Sequence, residues 1–260
     1  MSDDRIILPS SRRDWPFRAA HVARNLLRAA IGLVYPRECI ACGIGLAPAS
    51  PGEICLKCEA EVRYIGGDCC PKCGFPYGPY VGATRAPCPE CRPGLFFRKA
   101  VAAWRYDGPG RDVILRWKYQ GVFSGQGILI RRLADRLCAE EFAEDLELVV
   151  SVPMHWRRRL TRRFDQAQLL AHGVARKLAV PYSSRVLVRT RNTPSQVGLS
   201  GPERIRNVRG AFSVRRPELV KGRVVLLIDD VVTTCATASE CSRALRRAGA
   251  RAVYVASIAR

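Results

Sequence analysis

Two adjacent carboxylates, Asp229 and Asp230, directly follow five aliphatic residues, Val224-Val225-Leu226-Leu227-Ile228, and directly precede Val231-Val232-Thr233-Thr234-Cys235-Ala236-Thr237. Carboxylates in that place suit the vicinal hydroxyls of a sugar. Small hydroxyl residues at the start of a helix suit a phosphate, because the free backbone N–H groups and the helix dipole there both favour an anion. Diol on one side and phosphate on the other describe a ribose 5-phosphate. The candidate ligand residues are therefore Asp229, Asp230, Thr233, Thr234, Cys235, Ala236 and Thr237. The plainer alternative is a strand-to-helix connection with a solvated acid pair.

A second chemistry is written in the cysteines. Of twelve, nine lie between Cys39 and Cys91, and eight of these form four C-x-x-C pairs: Cys39/Cys42, Cys55/Cys58, Cys70/Cys73 and Cys88/Cys91. Eight thiolates fill two tetrahedral four-cysteine Zn²⁺ sites with no position left for water, which marks them as structural. Sequential pairing, the first four and the last four, is the default, with interleaved pairing as the alternative; Cys69 competes with Cys70 for one place. So short a segment has little core and needs its metal to fold, whereas the chain after it is expected to have a core of its own.

A third signal is basic. After Val152-Pro153 come Met154-His155-Trp156, then Arg157-Arg158-Arg159-Leu160-Thr161-Arg162-Arg163-Phe164-Asp165-Gln166. Pro153, Arg162 and Arg163, at the carboxyl end of a parallel strand, are placed to hold a pyrophosphate beside the ribose phosphate. Arg157, Arg158 and Arg159 suit nucleic-acid phosphates, and Trp156 or Phe164 suits a stacked base. His155 reads as a hydrogen-bonding or stacking residue rather than an acid or base.

These groups need a scaffold, and the pattern supplies an α/β one. Strands are expected over 97–106, 146–152, 184–188, 224–228 and 251–258, with an edge segment at 211–214. Helices are expected over 111–119, 127–142, 169–178, 201–208 and 236–248, with Gly249 stopping the last. Cys138 falls at helical spacing with Leu129, Leu133 and Leu137 and reads as core. The polar stretch 189–200 is a loop able to close over a site. Residues 15–34 read as a basic amphipathic helix packed on the cysteine segment; no apolar run reaches membrane-spanning length. The divisions are thus 1–36, a basic tail and helix; 37–95, a double zinc ribbon; and 96–260, an α/β domain.

Composition narrows the partners. The 260 residues carry a formal net charge of +20 and are 48% hydrophobic, so the chain supports a real core and attracts polyanions. Arginine enrichment on merely solvated faces is the competing reading. C-x-x-C pairs in place of a spread disulfide framework fit a reducing cytoplasm.

The 224–237 stretch resembles the 5-phosphoribosyl-1-pyrophosphate (PRPP) motif of the type I phosphoribosyltransferases. Taken over about 36–258, the chain resembles the ComF family, a double zinc ribbon followed by a phosphoribosyltransferase domain. The likeness rests on the four cysteine pairs, Lys118-Tyr119-Gln120-Gly121, Val152-Pro153 with the arginine loop and Phe164-Asp165-Gln166, Thr193-Pro194-Ser195-Gln196-Val197-Gly198-Leu199 with Arg204, Asn207 and Ala211-Phe212, and the PRPP-type motif. It implies a type I phosphoribosyltransferase-like parallel sheet, Mg²⁺ arriving with PRPP, and help in handling single-stranded DNA during natural transformation, with a helicase-like competence protein as a partner. The alternative is an active phosphoribosyltransferase acting on an unidentified nucleobase. Two departures stand out. Cys235 replaces the usual glycine, where a side chain narrows the approach to phosphate, and Arg163 replaces a glycine in the arginine loop.

Overall fold

The computed structural model describes residues 37–47, 50, 52–77, 88, 91, 94–119, 125–154, 164–193 and 198–260. The helix expected over 15–34 lies outside these residues, as does the arginine loop with His155, Trp156, Arg157, Arg158, Arg159, Arg162 and Arg163. In chain order the elements are α1 (Leu56–Glu61), β1 (Ala100–Trp104), α2 (Gly108–Tyr119), α3 (Gln126–Cys138), β2 (Leu148–Ser151), α4 (Gln166–Leu178), β3 (Tyr182–Ser183), β4 (Leu187–Arg189), α5 (Gly201–Val208), β5 (Phe212–Val214), β6 (Val224–Val231), α6 (Ala236–Arg247) and β7 (Ala252–Ala259).

Among the described residues five strands form one parallel sheet in the order β1-β7-β6-β2-β3. The unbroken aliphatic run of β6 is the centre, paired with β2 from Leu148↔Val225 to Ser151↔Ile228 and with β7 from Val224↔Ala252 to Val231↔Ala259. A strand buried on both faces can afford no polar residue until it emerges, which is why its side chains divide cleanly. Val224, Leu226 and Ile228 join one apolar cluster with Leu129, Leu133 and Leu137 of α3 and Leu170 and Val174 of α4. Val225 and Leu227 join the other with Ala238, Cys241 and Leu245 of α6.

The chain leaves β2 through α4 toward β3 on one side, and leaves β6 through α6 toward β7 on the other. The strand order therefore reverses between β2 and β6. At such a switch point the two crossovers diverge and leave a crevice at the carboxyl ends of the strands. Pro153 and the Asp229-Asp230 pair stand at its two lips.

Three expectations are corrected. The single strand at 184–188 is two: Tyr182–Ser183 closes the main sheet against β2, while Leu187–Arg189 pairs antiparallel with Phe212–Val214 in a separate ladder, so 211–214 does not edge the main sheet. The helix over 127–142 stops at Cys138, and Glu141–Ala143 is a separate 3₁₀ turn. Cys138 is exposed, not core. Leu129, Leu133 and Leu137 hold the buried stripe, and Cys138 lies about 100° further round the helix.

The cysteine segment is not a separate body on the sheet. Its first half puts Cys39, Ile40, Ile54 and Cys58 into the cluster with Trp104, Ile114 and Trp117; its second half puts Cys70, Cys73, Cys88 and Phe97 into the cluster with α6. The connecting chain runs along the open edge of β1, with Ile65 N–H donating to the Ala103 carbonyl at 2.9 Å and Arg105 N–H to the Arg63 carbonyl at 2.8 Å. At the other end of β1, Ala100 N–H donates to the Lys72 carbonyl at 2.9 Å. The two halves thus straddle an edge strand that would otherwise present unpaired backbone groups.

Candidate ligand site and metal centres

The acid pair is held unequally. Asp230 Oδ2 lies 2.6 Å from Lys118 Nζ at the end of α2, and Asp230 Oδ1 accepts the Val231 N–H at 2.6 Å. Asp229 Oδ1 accepts the Asp230 N–H at 2.9 Å. Burial, and then the charge of Asp230, push the Asp229 carboxyl up to about 8. A carboxyl that keeps its proton more readily than usual, able to donate as well as accept, thus stands beside one held by a lysine. That combination suits two neighbouring hydroxyls.

The loop that follows wraps a hollow of about 40 Å³ lined by Asp229, Val231 and residues 232–238. One water needs only ~10–15 Å³ on a comparable measure, so a small anion has room. Thr233 is exposed, with Thr234 and Thr237 half-buried around it. Arg204, on α5, donates from Nη1 to Thr233 Oγ1 at 2.7 Å and from Nε to the Leu199 carbonyl at 2.9 Å. Its helix is set by Ser200 and Glu203, which cap each other's backbone. A larger cavity of about 500 Å³ adjoins Thr234 and Ala236 and is walled by Leu95, Phe96, Ile205 and Val208.

Cys235 answers the question its sequence position raises. Its backbone is left-handed, φ 59° and ψ 3°, the conformation for which glycine is the usual residue. The thiol is buried, and its sulfur accepts a hydrogen bond from Arg260 Nη1 at 2.9 Å.

Pro153 is buried beyond β2, and Asp165 caps α4 by accepting the Gln168 N–H at 3.2 Å. Phe164 is 43% exposed, as a base-stacking residue must be. Some of the positive charge is already committed: Arg116 bonds the Cys39 carbonyl, Arg132 pairs with Glu59, and Arg246 bonds the Ala250 and Arg251 carbonyls. Lys118, Arg204 and Arg260 reach the site from 25 to 112 positions away in sequence; the first two lie in motifs noted above, but only the fold shows what they touch.

The cysteines gather as Cys39, Cys42, Cys55 and Cys58, and as Cys70, Cys73, Cys88 and Cys91, each set with its sulfurs within 4.8 Å of one another. A tetrahedron with Zn–S bonds of about 2.3 Å has S···S edges of about 3.8 Å. The observed separations are 3.8 Å for Cys42–Cys55, 3.4 Å for Cys70–Cys91 and 3.5 Å for Cys73–Cys88, near that edge and far beyond a disulfide bond. Cys69 stays outside, its thiol donating to the Gly66 carbonyl at 3.4 Å.

Comparison with known proteins agrees with this geometry. Residues 30–98 match the model of the double zinc ribbon domain. The DNA utilization protein YhgH of Escherichia coli K12 is 33% identical over 228 residues, 86% of this chain and 96% of that protein. Competence protein F of Haemophilus influenzae is 30% identical over 233 residues, with the same coverage. The chain belongs to the ComF family. A more distant ComF-family relative, competence protein ComFC of Bacillus subtilis, is 25% identical over 207 residues, 76% of this chain and 79% of that one. Among solved structures, glutamine PRPP amidotransferase from B. subtilis is 25% identical with a TM-score of 0.36, covering 52% of this chain. The ComF-family chain spans about a quarter of that structure, 26%. The parallel sheet with flanking helices, preceded by two four-cysteine clusters, is the fold class expected from the sequence. Among the described residues no helix is long and apolar enough to cross a membrane.

Proposed function

We propose that this protein binds PRPP or a related phosphoribosyl ligand at the β2/β6 crevice and assists the handling of single-stranded DNA in competence, working in the cytoplasm beside a helicase-like partner. The observation that carries the ligand reading is the juxtaposition of the acid pair, a hydroxyl-lined hollow at the start of α6, and the cations Lys118 and Arg204 at one end of the sheet. The 5-phosphate takes the hollow and the ribose diol takes Asp229 and Asp230; Mg²⁺ travels with the ligand's pyrophosphate, which Pro153, Arg162 and Arg163 receive. The DNA reading draws on relatives named for DNA utilization and competence and on the net charge of +20. Both four-cysteine sites hold structural Zn²⁺, two per chain.

Thermal unfolding with Mg²⁺ and PRPP tests the ligand half. A ligand at a hundredfold excess over Kd stabilises by about 2.7 kcal/mol, so Tm should rise by several degrees. Asp229→Asn with Asp230→Asn should abolish the rise without unfolding the protein. No shift in the wild type at millimolar ligand sinks this reading. The alternative, an active phosphoribosyltransferase, is favoured by the intact acid pair and by the 500 Å³ cavity next to the loop; release of pyrophosphate from PRPP with a panel of nucleobases decides between them.

A further inference from the structure

Arg260 lies just beyond β7 with its backbone fixed on both sides: its N–H donates to the Trp104 carbonyl at 3.1 Å, and its carbonyl accepts the Tyr106 N–H at 2.7 Å. From that position the side chain crosses to the second four-cysteine site. Nη2 donates to Cys73 Sγ at 3.3 Å while Nη1 donates to Cys235 Sγ at 2.9 Å, and the guanidinium sits 5.6 Å from the centre of the Phe75 ring. Its Nε is buried and has no hydrogen-bond partner among the described residues. One planar group therefore touches a sulfur of the metal cluster and the sulfur of the left-handed residue that opens α6.

We propose that Arg260 is a positioning residue coupling metal occupancy of the Cys70/Cys73/Cys88/Cys91 site to the conformation, and through it the ligand affinity, of the 232–238 loop. The second half rests on the phosphoribosyl reading above; the first does not. The four-cysteine geometry fits Zn²⁺, and a metal-bound Cys73 sulfur is both fixed in place and negatively charged. Guanidinium N–H bonds to it are then charge-assisted and directional. With Cys73 fixed, Nη1 is fixed, and so is the Cys235 sulfur it holds. Cys235 opens α6, whose first residues Ala236, Thr237 and Ala238 line the hollow, so the anchor on its sulfur sets the position of the phosphate cradle. This accounts for a cysteine where glycine would be less strained: glycine offers no sulfur to hold. Loss of metal releases Cys73 and with it the far end of the tether. Thermodynamic linkage makes the effect reciprocal, so a ligand in the loop must tighten metal in this site by the same factor that metal tightens the ligand.

The test uses the full zinc-loaded chain and compares wild type, Arg260→Gln and Arg260→Lys, the last keeping the charge but unable to fork onto two sulfurs. Hydrogen exchange of the 232–238 amides without ligand should be faster by about tenfold in both variants than in the wild type, a coupling of ordinary size, and stripping zinc with a chelator should accelerate exchange there in the wild type far more than in either variant. In Cys235→Gly the loop's exchange should no longer respond to the Arg260 substitutions. Exchange that is equal in all zinc-loaded proteins overturns the coupling. A second readout follows zinc release to a metallochromic chelator: Mg²⁺ with PRPP should slow one of two release phases in the wild type and neither in Arg260→Gln, and equal slowing in both overturns the proposal. A wild type that shows the exchange differences but no PRPP effect on Tm keeps the coupling and discards the phosphoribosyl ligand.

Discussion

Asp229 and Asp230 differ by one position and by opposite environments. Asp230 is anchored on Lys118, whereas Asp229 has its carboxyl pushed up to about 8 by burial and by its neighbour's charge. The sign follows directly. Between the ordinary carboxylate value of 3.8 and about 8 the native state binds the proton that the unfolded chain has lost, so this group subtracts stability progressively as pH rises through that window. Below it both states are protonated and the group contributes nothing. Asp229→Asn, which mimics the protonated form, should therefore be more stable than wild type at pH ~8 and indistinguishable from it at pH ~4; denaturation curves at the two pH values measure this. At the same scale, the acid pair and the hydroxyl run could be read from sequence because they are contiguous on one strand and its turn. Lys118 and Arg204 stood in recognisable motifs, but their contacts with Asp230 and Thr233 depend on how α2 and α5 pack, which no local spacing encodes.

Among the elements, the strong periodicities were legible: the aliphatic run of β6, the apolar stripe of α4, and α5 with its Ser200–Glu203 cap. The two-residue β3 and the β4/β5 ladder were not, because two or three residues carry no period and their partners lie in other segments. Gly74 shows what joins ribbon to sheet. It adopts φ +70°, and a Cβ there would sit 2.5 Å from the Ala100 carbonyl oxygen, a backbone atom that cannot step aside. Gly74→Ala should destabilise the protein by about 2 kcal/mol or more, from overpacking and left-handed strain together. Gly66→Ala, where a Cβ meets nothing within 4 Å, is the control and should cost little; urea midpoints compare them.

For the molecule as a whole, the apolar clusters run through both the cysteine segment and the sheet, so the first ribbon shares packing with the α2 and α3 face. Elemental analysis should find two Zn²⁺ per chain. Cys39→Ser should unfold the first ribbon and loosen the α2 and α3 face it packs on, whereas an α/β domain with a core of its own would keep that face intact; protease mapping distinguishes the two outcomes. Charge also acts at this scale. Single-stranded DNA binding through about five phosphates should give a slope of log K against log salt near −3.5, and Arg157→Ala with Arg158→Ala and Arg159→Ala should reduce its magnitude by about 2. The matched control is Arg185, Arg215 and Arg216, all exposed, since Arg246 is committed to carbonyls at the end of its own helix. Equal losses from both triples would remove any special role for the loop.

The position of β7 carries a consequence for how this chain is made. Ala252–Ala259 pairs with β1 on one side and β6 on the other, so β7, made after both, is inserted between them. Until the ribosome has released it, β1 has the ribbon on one flank and nothing on the other, and the nascent polypeptide exposes two unpaired sheet edges to its surroundings. A chain cut short before Ala252 should therefore be not a smaller folded protein but a chaperone client, retained by holdases or cleared by proteolysis.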